Sequence, residues 1–243
     1  MRVLAFVFVP LLMLAGCGGG DANSSAPAIS TTPVAAAQPP AGKTWLDVVT
    51  ATPDGNYIQG NPDAPIKLVE YGSRSCPVCG AFANTGVEPL RAKYVSTGRV
   101  SYEYRDFMVH NQDPGLALLG HCVPTEAFFT ILDQMYAGQA TFNARATQEL
   151  FTQVSALPKV QQPAAWAQAL GYVEFMKQRG VPEAKVRACL ADTALLTRIT
   201  DQMKKAADEK DVEGTPTFFV NDRKVDGVSF DQVEPALQAA GAR

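Results

Sequence analysis

Two cysteines, Cys76 and Cys79, are the residues of this chain whose type and spacing point most directly to chemistry. They follow a short apolar run, residues 66–71, that predicts a buried strand, and they precede a helical pattern. Cys76 is therefore expected at a helix N-terminus, where unpaired backbone N–H groups stabilise a thiolate. Cys79 lies one turn further along the same face, within reach of a disulfide, and Pro77 suits the first turn because its missing N–H has no partner there. The pattern predicts thiol–disulfide exchange with Cys76 as the nucleophile.

A zinc site or a purely structural disulfide would use the same two cysteines differently. Zinc usually needs a second pair of ligands, and the chain has no second Cys-x-x-Cys motif. Its two histidines, His110 and His121, do not have the spacing of a zinc-binding pair. A disulfide that closes so small a loop gains little chain entropy. Redox chemistry is the favoured interpretation, and both alternatives stay open.

The composition indicates the broad class of protein. The chain has 243 residues, of which 47% are hydrophobic and 19% are charged, and its formal net charge is −3. These values are typical of a soluble globular protein, with length for one large domain or two small ones. The small net charge and the lack of a basic cluster argue against nucleic acid as a partner. No apolar run is long enough for an ordinary membrane span.

The N-terminus has the pattern of an export signal. An apolar stretch, residues 3–14, follows a basic residue and precedes small residues. Residues 14–17 read Leu-Ala-Gly-Cys and resemble a bacterial lipobox, which implies that residues 1–16 are a signal peptide and that the Cys17 thiol is lipidated. Residues 17–44, rich in Gly, Ala, Ser, Thr and Pro, predict a disordered tether that holds a folded domain near a membrane.

The hydrophobic pattern divides the remaining chain into three parts. Residues 45–114 alternate short strands with one helix, which we expect to run from Cys76 to about residue 95 with a kink at Pro89. Residues 115–210 have helical spacing throughout. In residues 211–243 a strand, a turn and a partner strand precede a closing helix. The predicted fold class is α/β, with an all-helical segment between two parts that contain strands.

Two motifs together resemble the DsbA-type thiol–disulfide oxidoreductases. In the first, residues 68–71, Leu-Val-Glu-Tyr, lead to residues 76–79, Cys-Pro-Val-Cys; the second is residues 214–220, Gly-Thr-Pro-Thr-Phe-Phe-Val. The resemblance extends roughly from residue 57 to the C-terminus and implies a thioredoxin fold interrupted by an all-helical insertion. It also implies a cis-proline, Pro216, beside the active pair. Considered without the cysteines, the threonine–proline step would equally fit an ordinary turn into a strand.

Glu70 is the acidic residue that the resemblance singles out. A glutamate inside an apolar strand is costly to bury, and this one matches the acidic position six residues before the first active cysteine of the family. That match implies a partly buried acid with a raised pKa, which exchanges a proton with Cys79. A side chain that points to solvent at the strand end is the alternative. His110 follows the third strand much as a histidine does in relatives and is interpreted as structural or as part of the substrate edge.

The resemblance also implies a substrate groove with one departure from the family pattern. Pro77, Val78 and Thr215 are expected to contact the substrate, in a groove beside Pro216 that aligns an extended chain through main-chain hydrogen bonds. The strong oxidants of the family carry Pro-His between the cysteines, whereas this chain has Pro-Val. Valine cannot donate a hydrogen bond or carry a charge, so the disulfide is expected to be less oxidising.

Cys122 and Cys189 are the cysteines that remain after Cys17 and the active pair. An export signal places them in an oxidising compartment. Members of the family with a second disulfide in the insertion imply a Cys122–Cys189 bond here. Two separate buried thiols that pack as small hydrophobes are the alternative.

The predicted function is that of an extracytoplasmic, periplasm-facing, membrane-tethered thiol–disulfide oxidoreductase. Its partners are protein substrates with thiols or disulfides and a redox protein that resets the active pair; no metal or organic cofactor is needed. Gly18, where many inner-membrane lipoproteins carry aspartate, favours the outer membrane. Two alternatives stay open: a dedicated reductase or isomerase for one client, and a Cu(I)-binding lipoprotein that uses Cys76 and Cys79 as soft ligands.

Overall fold

The computed structural model describes residues 32–243. The predicted signal peptide, residues 1–16, and the predicted lipidation site Cys17 lie outside the described residues. Residues 34–37, which the sequence assigned to the tether, are hydrogen-bonded to the domain: the Val34 N–H donates to a carbonyl near the C-terminus at 2.9 Å, and the Ala37 N–H donates to the Thr97 carbonyl at 3.0 Å. Within the part of the chain that is described, no helix combines the length and the apolar character that a membrane span requires.

The described residues form one six-stranded sheet. Its strands are β1 (Val49–Ala51), β2 (Tyr57–Gly60), β3 (Ile66–Gly72), β4 (Val100–Asp106), β5 (Thr217–Val220) and β6 (Arg223–Val225). Their order across the sheet is β1-β2-β4-β3-β5-β6, so that β3 lies parallel to β4 on one side and antiparallel to β5 on the other. The register pairs Tyr71 with Thr217, which brings the chain before Cys76 beside the chain that contains Pro216.

The helices cover both faces of this sheet. They are α1 (Pro77–Thr85), α2 (Val87–Lys93), α3 (Asp113–Gly120), α4 (Phe128–Asn143), α5 (Gln148–Ser155), α6 (Gln162–Leu170), α7 (Tyr172–Lys177), α8 (Glu183–Leu190), α9 (Thr193–Lys210) and α10 (Phe230–Ala239). Ile66 and Leu68 of β3 pack with α1, α4 and α10, whereas Val69 and Tyr71 pack toward α9. Alternate side chains of a strand point to opposite faces, which explains why β3 is apolar on both sides. The predicted α/β class is confirmed.

One predicted helix is divided in the structure. The pattern predicted a single helix from Cys76 to about residue 95 with a kink at Pro89, but the chain forms α1 and α2 with the break at Gly86. A Cβ atom at Gly86 would lie 2.9 Å from a ring carbon of Phe82 and 3.1 Å from the Cβ of Phe230, so the bare backbone allows this close packing. Pro89 lies in the first turn of α2, where a missing N–H costs no helical hydrogen bond.

Helix α4 joins two hydrophobic cores. Phe128, Phe129 and Leu132 pack in the core against the sheet, whereas Ile131 and Met135 pack in a second core formed by α3 and α6–α8. A helix with apolar residues on two sides is expected where it lies between two packed layers. The helical segment between β4 and β5 is thereby fixed to the sheet, and the end of α4 lies over the loop that carries Cys76.

Candidate active site

Cys76 and Cys79 lie where β3 passes into the first turn of α1. Cys76 is the N-cap residue of α1 and Pro77 follows it in the first turn. Both cysteines are free thiols. The exposed fraction of Cys76 is 6%, whereas Cys79 is fully buried beneath it. Of the two sulfur atoms, only that of Cys76 is open to an approaching group.

The surroundings of the two thiols give them opposite proton affinities. The hydrogen bond from the Cys79 thiol, the Thr215 side chain and the N–H groups of Cys79 and Val78 lower the pKa of Cys76 to about 5, although partial burial raises it. Burial raises the pKa of Cys79 far above its ordinary value, and its hydrogen bond to Cys76 and the nearby Glu70 carboxyl raise it further. At neutral pH Cys76 is therefore a thiolate and Cys79 a thiol.

Glu70 on β3 is buried, with an exposed fraction of 1%, and does not point to solvent. One carboxyl oxygen accepts a hydrogen bond from the Tyr102 hydroxyl, and the other, Oε1, is buried without a hydrogen-bond partner. Burial raises the pKa of Glu70 to about 8, against the Tyr102 hydrogen bond that lowers it. At neutral pH the Glu70 carboxyl and the Cys79 thiol are therefore both protonated, and loss of the proton from either group disfavours its loss from the other.

The loop before β5 completes the rim of the site. The Thr215–Pro216 peptide bond is cis, and Pro216 is buried. In its protonated form the Cys76 thiol donates to the Thr215 carbonyl at 3.3 Å. Val78 is 44% exposed and Pro77 is exposed beside it, so both lie on the surface next to the Cys76 sulfur. A polypeptide bound at this rim would contact the residues that the sequence named for substrate binding.

Asp113, a residue that the sequence analysis did not find, organises the loop before Cys76. It lies at the start of α3 with an exposed fraction of 2%. Its carboxylate accepts hydrogen bonds from the hydroxyls of Ser73 at 2.8 Å and Ser75 at 2.7 Å, and from the N–H groups of Ser75, Val109 and His110. The sequence signal is weak, because an aspartate before a proline usually marks only a helix start.

Two amide side chains at the end of α4 hold the same loop from above. Gln139 Nε2 donates to the carbonyls of Arg74 at 3.0 Å and Cys76 at 2.9 Å, and Asn143 Nδ2 donates to the Ser75 carbonyl at 2.7 Å. The two residues are one turn apart on one face of the helix. The loop that carries Cys76 therefore takes its shape in part from the helical insertion.

Arg74 anchors the loop from within the core. Its guanidinium makes a two-pronged ion pair with Asp106, with nitrogen–oxygen distances of 2.8 and 3.1 Å, and lies over the rings of Tyr104 and Phe128. His121 Nε2 lies 2.9 Å from Asp106 as well. Burial alone would raise the pKa of Asp106, but Arg74 and His121 lower it to about 2. This buried cluster has all its charges paired, as stable buried ion pairs require.

The other two cysteines of the described residues lie in the helical insertion. Cys122, after α3, and Cys189, in α8, form a disulfide with a Cα–Cα distance of 5.8 Å. Across residues 32–243, no group of three or more His, Cys, Asp or Glu side chains is arranged to hold a metal ion.

Known proteins similar to this chain are named for thiol–disulfide chemistry. A family model described as thioredoxin matches residues 52–239. A provisionally named protein-disulfide oxidoreductase of Rickettsia conorii is 27% identical over 194 residues, which cover 77% of this chain and 61% of that protein. The chain spans about three fifths of the length of the curated relatives that it matches first.

Solved structures with the same architecture extend this similarity. The crystal structure of a protein-disulfide isomerase from Novosphingobium aromaticivorans has a TM-score of 0.71 and 27% identity, and covers 75% of this chain and 95% of its own. Wolbachia pipientis alpha-DsbA1 has a TM-score of 0.59 at 19% identity, and covers 77% of this chain and 92% of its own. At that identity the second likeness concerns the fold alone.

Proposed function

The chain belongs to the thioredoxin family, and from that premise we propose that it is a thiol–disulfide oxidoreductase that exchanges disulfides with protein substrates through Cys76 and Cys79. The observation that carries the proposal is the unequal pair of thiols: the pKa of Cys76 is about 5, whereas burial raises that of Cys79. Such a pair provides one nucleophile that is ionised and accessible and a second that stays protonated until it is needed. The names of the Rickettsia and Novosphingobium proteins support the same chemistry.

In the oxidase direction the active pair begins as a disulfide. A substrate thiolate attacks the Cys76 sulfur, a mixed disulfide forms, and the Cys79 sulfur leaves with the electron pair of the broken bond. A second substrate thiolate then attacks the substrate sulfur of the mixed disulfide and releases Cys76 as a thiolate. Two electrons pass from the substrate to the pair, and a separate redox protein must remove them again.

In the reductase direction the steps run in reverse. The Cys76 thiolate attacks a substrate disulfide, and Cys79 resolves the mixed disulfide after it loses its proton. We assign that proton to Glu70, whose raised pKa of about 8 allows it to give or accept a proton near neutral pH. Its unpartnered carboxyl oxygen, Oε1, is available for this exchange.

We assign substrate contact to the rim formed by Pro77, Val78, Thr215 and Pro216. The exposed Pro77 and Val78 flank the accessible sulfur, which lies 3.3 Å from the Thr215 carbonyl oxygen. An extended substrate would place a cysteine opposite Cys76 while its main chain pairs with the chain before β5. This arrangement favours unfolded or flexible proteins as substrates.

We further propose that the protein works outside the cytoplasm as a lipoprotein anchored through Cys17, with the outer membrane favoured over the inner. The proposal depends on the export signal and the lipobox-like residues 14–17. The Cys122–Cys189 disulfide supports an oxidising location, because such bonds persist mainly in exported proteins.

Isomerisation is a second candidate, favoured by the Novosphingobium neighbour that is named a protein-disulfide isomerase. An isomerase returns its electrons to the substrate that it attacked, so it works in the reduced form and needs no net oxidant. Refolding of scrambled ribonuclease by the reduced protein, with no added oxidant, would distinguish this activity from net oxidation.

Activity in both directions tests the main proposal. The full chain is offered reduced ribonuclease as a thiol substrate and insulin as a disulfide substrate, and we expect turnover of at least one. Cys76→Ala is expected to be inactive with both, whereas Cys122→Ala/Cys189→Ala is expected to retain activity. A protein that turns over neither substrate but binds Cu(I) through Cys76 and Cys79 would contradict the proposal and favour the copper-binding alternative.

Anchoring needs its own test. We expect the wild-type chain to fractionate with membranes and to incorporate labelled fatty acid, and Cys17→Ser to lose both properties. Cys122→Ser/Cys189→Ser is the matched control, since it removes two cysteines that lie outside the lipobox. Membrane association and labelling that persist in Cys17→Ser would contradict the lipoprotein assignment.

A further inference from the structure

His110 is a titratable group at the mouth of the site that the exchange steps above do not use. It lies just before α3, and its side chain is 42% exposed. Its Nδ1 atom lies 3.1 Å from the hydroxyl of Ser75, the residue that precedes Cys76. The imidazole thus contacts the residue that directly precedes Cys76 in the chain.

The hydrogen bonds around Asp113 determine which ring nitrogen of His110 carries a proton. Three backbone N–H groups and two serine hydroxyls approach the Asp113 carboxylate, which has no proton of its own to donate. Ser75 has one hydroxyl proton and gives it to Asp113 at 2.7 Å. The Ser75 oxygen must therefore accept from His110, so Nδ1 is protonated and any second proton is taken up at Nε2.

Ser73 repeats this arrangement on the other side of the carboxylate. Its hydroxyl donates to Asp113 at 2.8 Å and accepts the Cys76 N–H at 3.1 Å. Asp113 therefore fixes the direction of the hydrogen bonds on both sides. Ser73 connects it to the backbone N–H of Cys76, and Ser75 connects it to the ring of His110. His110 can gain or lose its charge at Nε2 without breaking its bond to Ser75.

The charged groups that face His110 both favour its cationic form. They are Asp113, from α3, whose carboxylate lies 3.6 Å from Nδ1, and the Cys76 thiolate, at the start of α1. The nearby Asp113 carboxylate raises the pKa of His110 above its ordinary value, and the negative charge of Cys76 raises it further, against partial burial. An attraction of this kind is mutual, so a cationic His110 stabilises the Cys76 thiolate to the same extent.

We propose that His110 is a positioning residue of the site, whose imidazolium, held by Ser75 and Asp113, stabilises the Cys76 thiolate in place of the side chain that the Pro-Val dipeptide does not provide. The inference rests on the proposed function and adds a pH dependence to it. Above the pKa of His110 the thiolate loses its cationic neighbour and becomes a stronger nucleophile and a poorer leaving group. The alkylation rate of Cys76 therefore has two rises, the first where Cys76 ionises and a second where His110 loses its charge.

The first test uses the unmodified chain. The pKa of His110 is measured by the NMR titration of its ring proton in reduced and in oxidised protein; the oxidised form has no Cys76 thiolate. We expect the pKa of His110 to be higher in the reduced protein, with His121 resolved as a separate signal. Equal pKa values of His110 in the two forms would overturn the inference without affecting the proposed exchange activity.

The second test uses variants at the same position. His110→Gln keeps a donor for Ser75 but has no charge, and we expect it to raise the pKa of Cys76 by about one unit and to abolish the second rise in alkylation rate, which is about threefold in the wild type. His110→Lys should restore most of the lowered pKa without a second rise near neutral pH. Lys159→Gln, which removes a positive charge from the helical insertion, is the matched control and should change neither property.

The outcomes separate the inference from the function on which it rests. If Cys76 is acidic in the wild type and equally acidic in His110→Gln, the role of His110 is wrong and the exchange activity stands. If Cys76 of the wild type titrates as an ordinary thiol, the proposed function fails at its nucleophile, and the role of His110 fails with it.

Discussion

Cys76 and Cys79 lie three residues apart at the start of α1, whereas Cys122 and Cys189 lie 67 residues apart in the helical insertion. The first pair consists of free thiols, one of which meets the surface, and the second pair is joined as a disulfide. Around the first pair, hydrogen bonds and burial give the two sulfur atoms very different proton affinities.

The two pairs also differ in how much the formation of their disulfide stabilises the folded chain. A disulfide across a long loop removes many conformations from the unfolded chain, whereas one across a single helical turn removes few. Reactivity depends instead on the local electrostatics of the sulfur atoms. The comparison teaches that long-range pairing serves stability, whereas short-range pairing at a helix N-terminus leaves the bond free to serve exchange.

The largest expected effect concerns the unequal thiols of the short-range pair. At pH 7 we expect iodoacetamide to alkylate Cys76 in the Cys79→Ser variant more than about a thousandfold faster than Cys79 in the Cys76→Ser variant, because Cys76 is ionised and accessible and Cys79 is neither. Both variants carry the Cys122–Cys189 disulfide, so each offers one thiol of the folded domain. Comparable alkylation rates in the two variants would contradict the roles of Cys76 as nucleophile and Cys79 as the shielded thiol.

The long-range pair should affect stability without affecting exchange. We expect Cys122→Ser/Cys189→Ser to lower the free energy of unfolding by about 4 kcal/mol, the value of the chain-entropy model for a loop of this length. The alkylation rate of Cys76 should stay within about twofold of the wild type, since the disulfide does not touch the loop. Denaturant unfolding measures the stability and alkylation kinetics measure the reactivity of Cys76. A large fall in the alkylation rate would mean that the long-range disulfide also supports the active pair.

Glu70 provides a third test, on the pH dependence of stability in the oxidised protein, where Cys76 and Cys79 do not titrate. Below its ordinary pKa of 4.5, Glu70 is protonated in both the folded and the unfolded chain, so it adds no pH dependence to the free energy of unfolding. Burial still raises the pKa of Glu70 in the folded oxidised chain, so between 4.5 and that raised pKa only the unfolded chain ionises and the free energy of unfolding falls as pH rises.

Glu70→Gln should remove this slope while it keeps a hydrogen-bond partner for Tyr102. The expected difference between variant and wild type is about 2 kcal/mol over the interval from pH 5.5 to 7. Glu126→Gln, at an exposed position before α4, is the control and should leave the slope unchanged. Parallel stability curves for Glu70→Gln and the wild type would mean that Glu70 is not a protonated acid in the folded chain.

The smallest expected effect concerns a substitution between the two cysteines of the short-range pair. Val78→His places a donor and a partial positive charge on the exposed position beside Cys76, so we expect the pKa of Cys76 to fall by about one unit. The disulfide should become more oxidising in proportion, as equilibrium with glutathione would measure. Val78→Leu, which changes size without adding a donor, should leave both properties near those of the wild type.

The site residues that the sequence predicts from local pattern lie close together in the chain. Cys76 and Cys79 lie at one strand–helix junction, where local pattern predicts geometry, and Glu70 was added through the family resemblance. Pro216 was found through the resemblance of its loop to a known family, since a threonine–proline step alone is ambiguous. The tether, the signal peptide and Cys17 stay predictions.

The residues that were missed come from distant elements and have ordinary local roles. Asp113 resembles a helix-start residue, and Gln139 and Asn143 are polar residues of a long helix. Only the packing of α3 and α4 over the loop makes them partners of Ser73–Cys76. The break at Gly86 instead of Pro89 has the same cause, since the close approach of another helix is a tertiary event that no local pattern contains.

The pairing of β3 with β5 has a consequence for the order in which the protein is made. Lys67, in β3, is hydrogen-bonded to Asn221, a residue that follows 154 positions later. A chain that leaves the ribosome or crosses a membrane from its N-terminus therefore presents both cysteines long before the strand beside them exists. During that interval the dithiol has neither the loop at Thr215 nor the neighbour that covers the β3 edge. The period of vectorial synthesis is thus when the nascent chain is most open to mispairing, and it ends only as the last strands emerge.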